Sequence, residues 1–198
     1  MEHDAETKAE LIAELHASIQ SASRDYFIWS RGRVIYEAGV EALIQVYSAK
    51  RLFDLFASQY DIELHLERKF DDLVGRSGAE LVGKHADLIL SFRPGPTYVV
   101  EFKRYTNESN LRGDIERLKA VVRLNPSCVG LCAAPCYAKE HEVDWPKNAA
   151  QKMEQRDPLL TCHVSEPRPL PHRFRLSEGW QSDRALVIEV RAGAEGHS

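Results

Sequence analysis

The sequence predicts an α/β fold in which helices flank a mixed β-sheet. Segments 36–58 and 111–124 repeat apolar residues at helical spacing. Two apolar runs around Pro94, Gly95 and Pro96 read as a β-hairpin. The apolar run 128–134 follows the second of those helices, as the return strand of a parallel crossover would. In chain order this predicts an αβββαβ core, with an N-terminal helix ahead of it and a C-terminal β extension behind.

Residues 4–22 carry Leu11, Ile12, Leu15 and Ile19 at helical spacing, with Asp4 as the expected N-cap of a packing or dimerisation helix. Residues 25–36 fit either a small hairpin or the lead-in to a helix, and helix is the preferred reading. In 36–58 the stripe is Val40, Leu43, Ile44, Tyr47, Leu55 and Phe56, and Glu37 and Glu41 lie on another face. Residues 61–70 alternate, with Ile62, Leu64 and Leu66 on one side of a strand and Glu63, His65, Glu67 and Lys69 on the other. Residues 71–83 read as a loop. The helix 111–124 buries Leu111, Ile115, Leu118 and Val122 and stops at Asn125-Pro126. Further on, a helix is expected at 147–156, strands at 159–164, 172–176 and 185–191, and a frayed tail at 192–198.

Composition bounds the function only loosely. A chain of 198 residues with 43% hydrophobic content suits a single domain over 1–198. No apolar run approaches the length of a membrane span. The acidic start, Met1-Glu2-His3-Asp4, lacks a signal-peptide core, so a cytoplasmic protein is expected. The net charge of −4 neither calls for nor excludes a nucleic-acid partner. There is no internal repeat, P-loop or dinucleotide fingerprint. Cys128, Cys132 and Cys136 would share a strand face, but neighbours four residues apart on a strand stand about 13 Å apart, too far for one zinc ion. Reduced, buried cysteines are the expectation.

The chemistry concentrates in residues 84–104. If Phe92 pairs with Pro96 across the turn, Asp87 falls opposite Glu101, two residues before Lys103. Two carboxylates are hard oxygen donors suited to Mg2+ or Mn2+, and the backbone carbonyl of Phe102 is a third candidate donor. A bound cation lowers the pKa of water and draws charge from a phosphate oxygen. Lys103 could then stabilise negative charge that builds up there. His85 shares strand parity with Asp87 and is a candidate proton acceptor, though a surface histidine without a role is the simpler reading.

Asp87 followed by Glu101-Phe102-Lys103 resembles the PD-(D/E)xK nuclease superfamily, the restriction-endonuclease-like fold, whose signature is an Asp on one strand and Glu-x-Lys on the next. The resemblance covers about residues 34–138. Ala86 stands where the signature has proline. The resemblance implies a metal-dependent nuclease using Mg2+ or Mn2+, with DNA preferred over RNA, and a homodimer if both strands of a duplex are cut. It implies a metal set of Asp87, Glu101, Phe102 and a glutamate from the preceding helix, with Glu41 ranked first, Glu37 second, and Glu67 from the neighbouring strand lower. The start of the helix that follows Lys103 places Asn107, Asn110 or Arg112 where it could touch substrate. Members that carry an iron–sulfur cluster place one cysteine well before the core, and none exists here. The alternative is a catalytically silent relative acting as a nucleic-acid-binding or scaffold subunit. A third reading takes the acids as ordinary sheet-surface charges.

Overall fold

The computed structural model describes residues 2–30, 39–75, 81, 83–104, 108–139, 144–169 and 180–192. Helices α1 (Glu2–Trp29) and α2 (Gly39–Phe56) precede strand β1 (Ile62–Lys69), a short helix α3 (Asp71–Val74) and the hairpin β2 (His85–Phe92) and β3 (Thr97–Phe102). Then come α4 (Glu108–Leu124), β4 (Cys128–Lys139), α5 (Trp145–Arg156), β5 (Leu160–Val164), β6 (Arg168–Pro169) and β7 (Trp180–Val190). The sheet order is β1-β2-β3-β4-β7-β5, with β6 on β7. Only β3 and β4 run parallel, joined through α4; the other neighbours are antiparallel.

Two apolar layers cover the two sheet faces. On one, Leu11, Leu15 and Ile19 of α1 and Val40, Ile44, Leu52 and Phe56 of α2 pack on Leu88, Leu90, Tyr98, Val100 and Leu131. On the other, Leu111, Ile115, Leu118 and Val121 of α4 pack with Ala150 of α5 on Ile89, Val99, Cys132 and Ile188. Period-2 alternation in the central strands thus feeds both layers at once. In the hairpin, the Phe92 N–H donates to the Pro96 carbonyl at 3.1 Å, giving the register that sets Leu88 against Val100. Gly95 makes the turn, with φ +155° and no room for a Cβ, which would lie 2.9 Å from the Phe92 Cβ.

Several boundaries differ from expectation. Helix α1 does not end at 22 but runs to Trp29, because Phe27 is held edge-on against Tyr137 with ring centroids 5.6 Å apart. It begins at Glu2, so Asp4 lies inside it and does not cap it. Of the ambiguous 25–36, residues through Trp29 are helical; 31–38, with Glu37, lie outside the described residues. The predicted loop 71–83 contains α3, whose Leu73 carbonyl accepts from the Asn125 side chain at the end of α4. Leu66, expected on the apolar side of β1, is 41% exposed because β1 is an edge strand. Strand β4 extends past 134 to Lys139, and Pro135 is tolerated because β3 ends opposite Ala133, leaving one edge of β4 open. Strand β7 starts at Trp180, earlier than predicted. The predicted strand 172–176 and the tail from 193 lie outside the described residues. Cys128, Cys132 and Cys136 are buried. Among the described residues no helix is long and apolar enough to cross a membrane.

Helix α4 crosses β4 at Gly130, where an added Cβ would sit 2.9 Å from the Leu118 Cβ and 3.3 Å from that of Val190. Gly130→Ala is therefore expected to destabilise the fold by about 1–3 kcal/mol through overpacking. The urea midpoint would fall with the m-value unchanged, whereas an unshifted midpoint would show that α4 can back away.

Candidate functional site

Three strands bring one acid each to the same level of the sheet. The β2–β3 register, continued one step past Leu88 and Val100, sets Asp87 across from Glu101. The β1–β2 register sets Glu67 across from Asp87, between the pairs Leu66–Leu88 and Arg68–Ala86. Glu67 has φ +53°. For a residue with a Cβ, this left-handed conformation costs on the order of 1 kcal/mol or more. At this level the Asp87 carboxylate, not a strand carbonyl, accepts the Phe102 N–H, at 2.6 Å.

Helix α2 lies over this level. Glu41, in its first turn, accepts from the Arg104 backbone N–H and stands in the field of Glu67. One turn on, the Gln45 amide donates to Glu67 at 3.0 Å and also bonds Asp87. Burial is the main cause that pushes the Glu41 carboxyl above its ordinary range, as it is for the two strand acids. Asp87 rises to about 6, with Glu41 and Glu67 adding repulsion and the Phe102 N–H opposing it. Glu101 is only 2% exposed and rises to about 8, driven by burial and then by Asp87, against the pull of Arg117. Its Oε1 is buried with no hydrogen-bond partner among the described residues.

Helix α4 supplies the cations on the other side. Arg117 approaches Glu101, Nη2 to Oε2 3.4 Å, and also pairs with Asp114. Asp114 is 3% exposed and takes the Lys103 ammonium at 2.7 Å. Lys103 lies just past the end of β3, tied to β4 by its N–H to the Ala133 carbonyl at 2.9 Å. The ammonium expected to face a phosphate or water is thus engaged by a buried acid.

Of the sequence candidates, Asp87, Glu101, Glu41 and Glu67 are brought within mutual electrostatic reach. Phe102 takes part through its N–H; its carbonyl stays a candidate donor. His85 and Arg112 are exposed, and Glu37 and Asn107 lie outside the described residues. Gln45, Asp114 and Arg117 were not predicted. Asp114 carried a signal, since it falls within the apolar stripe Leu111, Ile115, Leu118 at helical spacing.

Among the described residues, no group of three or more His, Cys, Asp or Glu is disposed to hold a metal ion. Oxygens of Asp87, Glu67 and Glu101 face protein donors in place of a common centre. Carboxylates are hard oxygen donors, and here Asp87, Glu41 and Glu67 act electrostatically on Glu101, whose Oε1 is buried with no hydrogen-bond partner among the described residues. No protein-family model matches the chain, and no curated protein matches it.

The raised acids set a pH dependence. An acid whose pKa rises on folding keeps its proton in the folded state where the unfolded chain has lost it. Its contribution is greatest below the unfolded value and is lost as pH climbs to the folded one. The window runs from 3.8 to about 6 for Asp87 and from 4.5 to about 8 for Glu101. With a chelator present, Glu101 should lower stability between pH 6 and 8 by at most roughly 1.4 kcal/mol per pH unit. Urea midpoints of Glu101→Gln should change less with pH over that range than those of the wild type. Parallel curves would mean that Glu101 is ionised throughout.

Proposed function

We propose that the chain is a metal-dependent nuclease of the restriction-endonuclease-like type, hydrolysing nucleic-acid phosphodiester bonds, with DNA the expected substrate. The observation that carries this is Glu101, a carboxylate buried to 2% exposure with one oxygen unpaired, across from Asp87 and two residues before Lys103. A buried acid in this position is costly unless a cation answers it. The element order also supports the reading, since α2, β1, β2, β3, α4 and β4 follow the αβββαβ order that the resemblance implies.

On this reading Asp87, Glu101, Glu41 and the Phe102 carbonyl would hold Mg2+ or Mn2+, which when bound supplies a Lewis acid and an acidified water. The protein's own part is to position and to balance charge. Gln45 and the N–H groups of Phe102 and Arg104 orient the carboxylates. Lys103, once it leaves Asp114, places its ammonium where negative charge grows on the phosphoryl group. A cytoplasmic setting, and a two-fold dimer for duplex cleavage, belong to the same proposal.

A second reading, a silent nucleic-acid-binding or scaffold subunit, draws on the ion pair that already occupies Lys103 and on the protein donors facing the acids. One experiment separates the two. Single- and double-stranded DNA and RNA are incubated with the protein in Mg2+, Mn2+ or chelator. Cleavage is expected with metal alone, and Asp87→Ala, Glu101→Ala and Lys103→Ala should each lose at least about 100-fold in rate. Binding without cleavage by the wild type would support the silent subunit. Undiminished cleavage by Glu101→Ala would remove the proposed site.

A further inference from the structure

We propose that Arg117 contacts substrate directly, and that the cleft it lines along α4 seats the phosphodiester backbone flanking the bond to be cut; this rests on the nuclease reading above. Arg117 touches the site through one nitrogen only, Nη2, which serves Glu101 and Asp114. Its Nε and Nη1 make no hydrogen bond among the described residues. A guanidinium carries five N–H donors, and here those of Nε and Nη1 are left over as single donors, since both two-donor edges of the group include the engaged Nη2.

What lies over Nη1 is open. Gly113, one turn earlier on α4, is the position from which a side chain would cover it. A Cβ built there meets only Arg117 Nη1, at 3.9 Å. Glycine inside a helix costs about 0.5–1 kcal/mol against alanine, and no close packing at this position requires it. Its effect is to leave the guanidinium uncovered.

The space beyond is a cleft of about 950 Å³, lined among others by Gly113, Arg117, Lys84, Arg123 and Arg191. Among the described residues Glu116 is the one acid of its lining, and it meets Lys119 at 2.9 Å, which Asp157 also holds at 2.5 Å. Lys84 is exposed and makes no ion pair among the described residues. Arg191 faces Glu189 at 3.7 Å and Arg117 serves Glu101 and Asp114, so the positive charge of the lining that the described residues leave without an ion pair is that of Lys84. An anion held by the Nε or Nη1 donors of Arg117 would lie one side chain away from Glu101. A repeating anion such as a nucleic-acid strand could reach Lys84 as well, with no sequence readout required.

Two of the three test variants leave the ion pairs of the site alone. Gly113→Gln puts a side chain over the guanidinium, and Lys84→Ala removes the second contact. Arg117→Lys keeps charge and loses the Nε and Nη1 donors. Binding of a fluorescent single-stranded oligonucleotide is measured by anisotropy in chelator at several salt concentrations, and cleavage kinetics are measured in Mn2+. Each variant is expected to raise Kd and KM by about fivefold or more, with kcat for Gly113→Gln and Lys84→Ala changed less than about twofold. For Lys84→Ala the slope of log K against log salt should fall by about 1. If the wild type cleaves and Gly113→Gln and Lys84→Ala match it in Kd, KM and slope, the cleft assignment is overturned while the nuclease reading stands. If the wild type neither binds nor cleaves, the nuclease reading is overturned and the cleft assignment with it.

Discussion

The burial of Glu101 is the constraint around which the other polar groups are arranged. β3 is a central strand, flanked by β2 and β4, and the register sets Glu101 beside Cys132. Removing an ion from water carries an effective penalty of several kcal/mol even after relaxation. The protein offsets part of this with one guanidinium at 3.4 Å and leaves Oε1 without a partner. The remainder shows as an acid that holds its proton to about pH 8. An apolar residue there would extend the layer formed by Ile89, Val99 and Ile188 and would favour folding. An acid in such a place is the kind of local conflict that accompanies a functional site.

The neighbours of Glu101 follow from that placement. Arg117 can reach the acid only because α4 packs tightly on the sheet, and α4 can do so because β4 has glycine at 130 under Leu118. Asp114 points inward from the same helix and joins Arg117 to Lys103, so the crossover helix and the strand it leaves are connected by charge as well as by packing. Glu101 and Asp114 are buried while Lys103 and Arg117 are partly exposed, and removal of Arg117 would leave the charge of Glu101 without its cation. This makes α4 part of the site and not merely the connection between β3 and β4.

Much of this was legible in the residues. The turn Arg93-Pro94-Gly95 with Pro96 as the first strand residue gave one sensible pairing, and that pairing put Asp87 against Glu101. The stripes of α2 and α4 and the parallel return of β4 were likewise periodic and uninterrupted. What escaped reading was set by tertiary contact. Helix was the preferred reading of 25–36, but that it continues α1 without a break past 22 was not legible, because this depends on Phe27 meeting Tyr137, more than 100 residues away. Asp114 falls within the apolar stripe of α4, but Arg117 three residues on carried no such signal, since local spacing is the same whether a helix face meets water or a buried acid. Lys103 was placed by strand parity, but β3 ends at Phe102, and beyond that point alternation no longer dictates where a side chain goes.

The strand ends explain why the acids meet where they do. Neither the β1–β2 nor the β2–β3 ladder has a backbone pair at the level of Asp87: Glu67 turns to positive φ on one side, and Asp87 takes the Phe102 N–H through its side chain on the other. A backbone N–H released from a ladder must find another acceptor or suffer the desolvation cost. Carboxylates at these positions supply it: Asp87 for Phe102 and Glu41 for Arg104. The acids are therefore held by the same amides whose ladder partners are missing, and their repulsion is tolerated because each has a backbone donor, an amide side chain or a cation to answer it. A regular continuation of the three strands would satisfy those amides internally and would leave the carboxylates no donors to hold them together. The irregularity of the sheet at this level is thus the physical condition for gathering four acids in one place.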